Sequence, residues 1–228
     1  MIANKKQFNL GLGLLAAFFA VLIVMFQPLF DGRNAMSYLD DLYNSISKGS
    51  AYYIDDMRKE AAVAKGENFD LKLTYPSAEE AAQSAKMMAV TGFTAAADGA
   101  VVTVSGSLYE AMFASLADAD LMYDNDGAAL QAKYGLEPRR AMYNWWTTYN
   151  LLDKELKAIE SFAVAKAAGA IQKKAIEASY NYYEIEPINI MDKLWTVIFS
   201  LVFYVFYTMW FGFSILFVFE GWGLKLSH

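Results

Sequence analysis

Leu194–Phe219 reads LWTVIFSLVFYVFYTMWFGFSILFVF, 26 residues without a charge. Only Thr196, Ser200, Thr208 and Ser214 break its apolar character. About 20 apolar residues cross the hydrocarbon core of a bilayer, so this stretch predicts a membrane-spanning helix with length to tilt. Trp195 near one end and Trp222 just past the other sit where interfacial aromatic anchors belong.

A second apolar run lies at the other end of the chain. Leu10–Phe26 is 17 residues long, and no charge occurs from Gln7 through Phe30. A cleaved signal peptide has a shorter apolar core followed by small residues at a cleavage site. Here Gln27-Pro28-Leu29-Phe30 follows instead, so an uncleaved anchor helix is expected. Gly11, Gly13, Ala16 and Ala20 offer small surfaces for close helix packing within the membrane.

The rest of the composition narrows the chemistry. The chain has 228 residues, 56% of them hydrophobic, and a mean hydropathy of +0.20. It has no Cys, and its one His is His228. These absences exclude disulfides, thiolate metal sites, His-based triads and haem ligation by His. No cofactor and no metal is expected, nor an enzyme. A net charge of −6 argues against nucleic acid as a partner.

Charge also sets the expected orientation. Lys5 and Lys6 precede the first span, whereas residues 31–193 carry 16 Lys and Arg against 24 Asp and Glu. Long segments translocate largely regardless of charge, so the two lysines place the N-terminus inside. Both termini are then cytoplasmic and the acidic middle is periplasmic, in a bacterial inner membrane.

Between the spans the pattern is mainly helical. Asn34 to Lys65 reads as one helix, capped by Asn34 and stopped by Gly66, with Leu39, Leu42, Ile46, Tyr53 and Met57 as its stripe. Phe69–Tyr75 alternates apolar and polar as a half-buried strand does. Ser77 with Glu80, and Ser107 with Glu110, form capping boxes that open helices. Phe93–Gly106 reads as a hairpin turning at Asp98-Gly99. The resulting β-α-β-β-α order predicts a three-stranded antiparallel sheet with two helices on one face. Arg139 to Tyr183 reads as one helix about 65–70 Å long. Its stripe would pair with the first helix as an antiparallel coiled coil.

The expected fold class is therefore a mainly α membrane protein with two transmembrane helices. They flank an extracytoplasmic long-helix stalk bearing a small α/β insert. The expected order is a cytoplasmic start (1–9), a span (10–30), a stalk helix (31–67), the insert (68–135), a long stalk helix (136–187), a second span (188–219) and a cytoplasmic tail (220–228).

Few residues suggest chemistry. Asp118, Asp120, Asp124 and Asp126 precede Gly127 as in a calcium loop, but Met122 and Lys133 stand where that loop needs acids. Met87, Met88, Met112 and Met122 lack the spacing of a copper site and read as core. Tyr143, Trp145, Trp146 and Tyr149 form an aromatic cluster. Neighbours on a helix diverge by about 100°, so Trp145 and Trp146 cannot share one seam. This cluster is the candidate interaction surface. Tyr180, Tyr182 and Tyr183 read as interface anchors before the second span.

The two-span layout is superficially similar to the sensor half of a bacterial chemoreceptor or histidine kinase. The similarity stops at Leu224–His228, where no receiving module is expected to follow. The spans contain no ionisable side chain, which argues against ion or proton transport by this chain alone. The reading is a non-catalytic accessory or scaffold subunit of a multi-subunit membrane complex. Its expected partners are other integral membrane subunits, the lipid bilayer and a second copy of itself. The alternative is an extracytoplasmic ligand-sensing module that signals through a separate protein.

Overall fold

A computed structural model describes residues 2–224; Lys225 and His228 of the expected tail lie outside the described residues. Its first half runs α1 (Lys5–Met25), α2 (Ala35–Ser50), α3 (Ile54–Glu60), a 3-10 turn (Ala61–Ala64), β1 (Asn68–Thr74), α4 (Ala78–Val90), β2 (Thr94–Asp98) and β3 (Val101–Ser107). There follow α5 (Leu108–Tyr123), α6 (Gly127–Tyr134), α7 (Pro138–Ala158), α8 (Phe162–Ile171), a π turn (Gln172–Ile176), α9 (Glu177–Tyr182) and α10 (Leu194–Trp222). The chain divides into two units: residues up to Gly49 together with those from Glu186 onward, and Ser50–Ile185.

In the first unit, α1 and α10 are, among the described residues, the two helices long and apolar enough to cross a membrane. They pack as an antiparallel pair. Among the less exposed positions of α1 are Phe8, Gly11, Leu14, Phe18, Val21 and Met25, and among those of α10 are Ser200, Phe203, Tyr207, Trp210, Ser214, Phe217 and Gly221. Both series step by three and four, the period of a coiled-coil seam. The outward residues are apolar too, among them Phe199, Phe206 and Phe213. A helix that is apolar all round has nothing to bury in water, which is why its burial pattern shows only at the seam.

Polar groups at the seam find partners across it. Trp210 Nε1 donates to Leu14 O at 3.1 Å and the Tyr207 hydroxyl donates to Phe18 O at 2.9 Å. The Phe18 and Tyr207 rings stack at 4.2 Å. Gly11 permits a close approach, because a Cβ there would lie 2.6 Å from Val218 N. Gly221 does the same against Phe8. Of the small residues expected at this interface only Gly11 takes part. A Cβ on Gly13 would meet open space, and Ala16 and Ala20 are exposed. The Gly11 and Gly221 contacts both lie at one end of the seam, where the start of α1 meets the end of α10, while further along Phe18 meets Tyr207 and Phe211.

The long helices expected for the stalk are broken into shorter ones. Asn34 caps α2 through Oδ1, which accepts from Ser37 N at 2.8 Å. That helix stops at Ser50, after Ser45, Ser47 and Gly49, all poor helix formers. Ala51–Tyr53 is irregular, so the helix expected over 34–65 is three pieces. The helix expected over 139–183 is broken at Ile159–Ser161. Glu160 adopts φ +62°, while Ser161 N donates to Leu156 O and Glu160 N to Lys157 O. This hydrogen-bond pair is a Schellman ending, and it turns α8 back onto α7.

The sheet of the second unit has the order β1-β3-β2, with both neighbours antiparallel to β3. β1 and β2 are thus parallel with β3 inserted, a split β-α-β arrangement. The connecting turn is Gly99-Ala100, one residue later than expected, with Asp98 opposite Val101. Phe69, Leu71, Leu73, Val102 and Val104 point to one face and are buried. The expectation gave that face to the two helices of the insert. It is covered by α4 and α7 instead, while α5 packs among α3, α9 and the 3-10 turn. One continuous core runs from Ile54 to Ile176, so the insert is part of a larger helical unit. Ser77 and Ser107 cap α4 and α5 by accepting from Glu80 N and Glu110 N. Glu80 does not reach back to its cap; its carboxylate faces Arg140 at 3.3 Å.

Candidate functional site: an aromatic groove beside a π turn

The inward stripe of α7 is Ala141, Met142, Trp145, Tyr149, Leu152 and Leu156, all buried. Tyr143 and Trp146 lie off that stripe, on the side of α7 that faces away from the core. Trp145 is 2% exposed, whereas Trp146 is 36% and Tyr143 39% exposed. The aromatic cluster expected to act together is therefore divided. Trp145 and Tyr149 belong to the core, and Tyr143 and Trp146 to the surface.

Tyr143 and Trp146 form one wall of a groove of ≈ 360 Å³, whose other wall is Ile176, Glu177, Tyr180 and Asn181. The two rings of the α7 wall are near parallel, 6.1 Å between centroids. The Trp146 indole N–H donates to the Glu177 carboxylate at 3.3 Å. Gln172 in the π turn donates to Trp146 O at 3.0 Å, tying that turn to α7. Wide turns of this kind are frequent at functional sites, because they re-aim side chains within a helix. Arginines brace the rim. Arg140 lies 5.5 Å from the Tyr143 ring, and Arg139 lies 5.7 Å from Tyr180 and 5.3 Å from Tyr183. Such distances suit cation–π attraction.

Tyr180, Tyr182 and Tyr183 pack against the core of this unit. Tyr180 lines the groove, Tyr182 meets Tyr123 edge-on at 6.2 Å, and Tyr183 lies over Gly127. The expected anchors at the ends of α10 are exposed, Trp195 at 81% and Trp222 at 55%.

The acidic run resolves into structural contacts. Asp118 is wholly buried. Its Oδ1 accepts from Lys133 Nζ at 2.6 Å, and its Oδ2 from the Tyr134 hydroxyl at 2.5 Å and Trp145 Nε1 at 2.8 Å. Asp120 accepts from Tyr52 at 2.8 Å and Arg58 at 2.7 Å. Asp124 ends α5, and Asp126 caps α6 by accepting from Ala129 N. Met87, Met88, Met112 and Met122 are buried in the core. Among the described residues no three His, Cys, Asp or Glu side chains gather where they could hold a metal ion.

Burial first, then the Asp118 charge and hydrogen bond, push the Tyr134 hydroxyl well above its ordinary range, so it stays a donor. The groove had one legible signal, the adjacent tryptophans. Its second wall had none, because nothing in the spacing of Ile176, Glu177 and Tyr180 announces a π turn.

No known protein family matches this sequence, and no curated protein or solved structure matches it.

Proposed function

We propose that this chain is a membrane-anchored, non-catalytic accessory or scaffold subunit of a multi-subunit complex in the bacterial inner membrane. The α1–α10 pair anchors it, with both ends cytoplasmic and the Ser50–Ile185 unit in the periplasm. That unit docks another integral membrane subunit through the groove. The observation that carries this reading is the division of the Trp pair. One indole is used by the core, while its neighbour is spent on a surface groove with Tyr143 and Tyr180. Exposed Trp and Tyr in a concave patch are the residues that dominate protein interfaces. Lys5 and Lys6 support the orientation.

Extraction in mild detergent followed by native mass measurement tests the reading. The wild type is expected to retain a partner. Trp146→Ala is expected to weaken that association by about 2 kcal/mol, roughly 30-fold, as a groove anchor does, with unfolding of the chain unchanged. A lone monomer or homodimer in the wild type overturns it.

A groove of ≈ 360 Å³ is also large enough for a small molecule, which favours the sensing reading second. A specific compound that raises the melting temperature of the full chain, with the rise lost in Trp146→Ala, would select it.

A further inference from the structure

The first unit contains a second concavity, of ≈ 470 Å³, bounded by the end of α1, the start of α2 and the first turns of α10. Elsewhere the α1–α10 seam is filled by its own side chains, as where Phe18 stacks on Tyr207. Here small residues leave room: Ala20 on α1, Ala35 on α2 and Ser200 on α10. α2 stays over it through the Phe30–Tyr38 ring stack at 5.4 Å and the Tyr43–Ser200 hydrogen bond at 2.7 Å.

The chemistry of the walls selects the occupant. No charged side chain lines the pocket. The Ser200 hydroxyl is already committed, donating to Val197 O at 2.8 Å and bonded to Tyr43. A headgroup or a polar ring would therefore lose its hydration with little in return. A hydrocarbon chain loses none. Of the lining residues, Val24, Leu29 and Phe199 are exposed and apolar, like the outward residues of both helices. What covers that surface also reaches the pocket. Trp195, on the adjoining turn of α10, has the placement of an interfacial residue, so the pocket lies at the depth where acyl chains begin.

We infer that this pocket takes one acyl chain of a bilayer phospholipid, inserted sideways between α2 and the α1–α10 pair. The inference rests on the membrane reading proposed above.

The full chain, reconstituted in phosphatidylcholine liposomes containing a trace of phosphatidylcholine with a photoactivatable acyl chain, tests it. Wild type is expected to float with the liposomes and to be labelled both on α2, at Tyr38 or Leu39, and on the outward face of α10 near Phe206. Ala20→Trp fills the pocket from an exposed position. It is expected to lose the α2 label and keep the label near Phe206, which also reports that the variant is inserted. Ala35→Phe fills it from the other wall with the same expected loss. Equal α2 labelling in wild type and both variants, or no α2 labelling in a wild type labelled near Phe206, overturns the pocket and leaves the membrane reading standing. Failure to float overturns the membrane reading and the pocket with it.

Discussion

Asp118 shows how a single side chain organises the second unit. An uncompensated buried carboxylate costs several kcal/mol, yet this one has three donors at 2.5–2.8 Å from α6 and α7. Lys133 brings the counter-charge, and Tyr134 and Trp145 bring neutral donors on the other oxygen. Asp118→Asn keeps the shape but removes the charge and turns one acceptor into a donor facing donors. It is expected to destabilise the chain by about 2–4 kcal/mol in urea unfolding, since breaking a buried pair strands its partners. A loss below about 0.5 kcal/mol would mean the cage is solvated. From the sequence, Asp118 is one acid in a run of four. Its partners lie 15, 16 and 27 positions away, and no local rule links such separations.

Helix endings are the elements at which local pattern and structure part most clearly. Gly66 and Gly92 follow helices and have φ of +85° and +93°, as their residue type leads one to expect. The endings at Asn125 and Glu160 also need φ near +60° but carry side chains. Asn tolerates this conformation; Glu does so at a cost, and nothing in its type announces a stop. The apolar stripe of Leu152 and Leu156 therefore reads straight on into Ile159 and Ala163 as one long helix. The turn at Glu160 is held by the packing of α8 on α7, which buries Val164, Ala165, Ala168 and Ile171. Relieving the backbone strain there is expected to stabilise the fold. Glu160→Gly should raise the unfolding free energy by about 0.5–1 kcal/mol, whereas in a continuous helix the same change would lower it by a similar amount. The sign of the shift in thermal unfolding distinguishes the two.

At the scale of the whole molecule, the tyrosines of the second unit give it a pH signature. Burial first, with the Asp120 hydrogen bond next, pushes the Tyr52 hydroxyl from 10.0 up to about 12. Burial first, with neighbouring Tyr182 next, pushes Tyr123 from 10.0 up to about 12. Tyr75 and Tyr149 are raised as well, by burial. The folded state thus holds these protons more tightly than the unfolded state. Their contribution is fully present below pH 10.0, the unfolded value, and is lost as pH rises through about 12. The melting temperature is expected to be insensitive to these groups near neutrality and to fall steadily above pH 10.0. Phenolate absorbance should show a late-titrating set that is released on unfolding. Tyrosines that all titrate near 10.0 without loss of stability would contradict the packing.

The sequence by itself determined the features that rest on neighbouring residues. These are the two apolar helices, the capped starts of α2, α4 and α5, the alternating strand β1 and the divergence of Trp145 from Trp146. Each follows from periodicity or from one side chain meeting nearby backbone. Only the tertiary structure decided that the segment read as one helix over 139–183 folds back into the core of the second unit, that Asp118 sits among Lys133, Tyr134 and Trp145, and that the last residue of the π turn and α9 supply the second wall of the groove. It likewise showed that Gly11 and Gly221, rather than the Gly13 and Ala16 positions, let the two apolar helices approach. The reason is the same in each case. Burial and close approach are properties of pairs of distant residues, and a helix apolar on every side, or a turn closed by a glutamate, carries no local mark of the partner that will meet it.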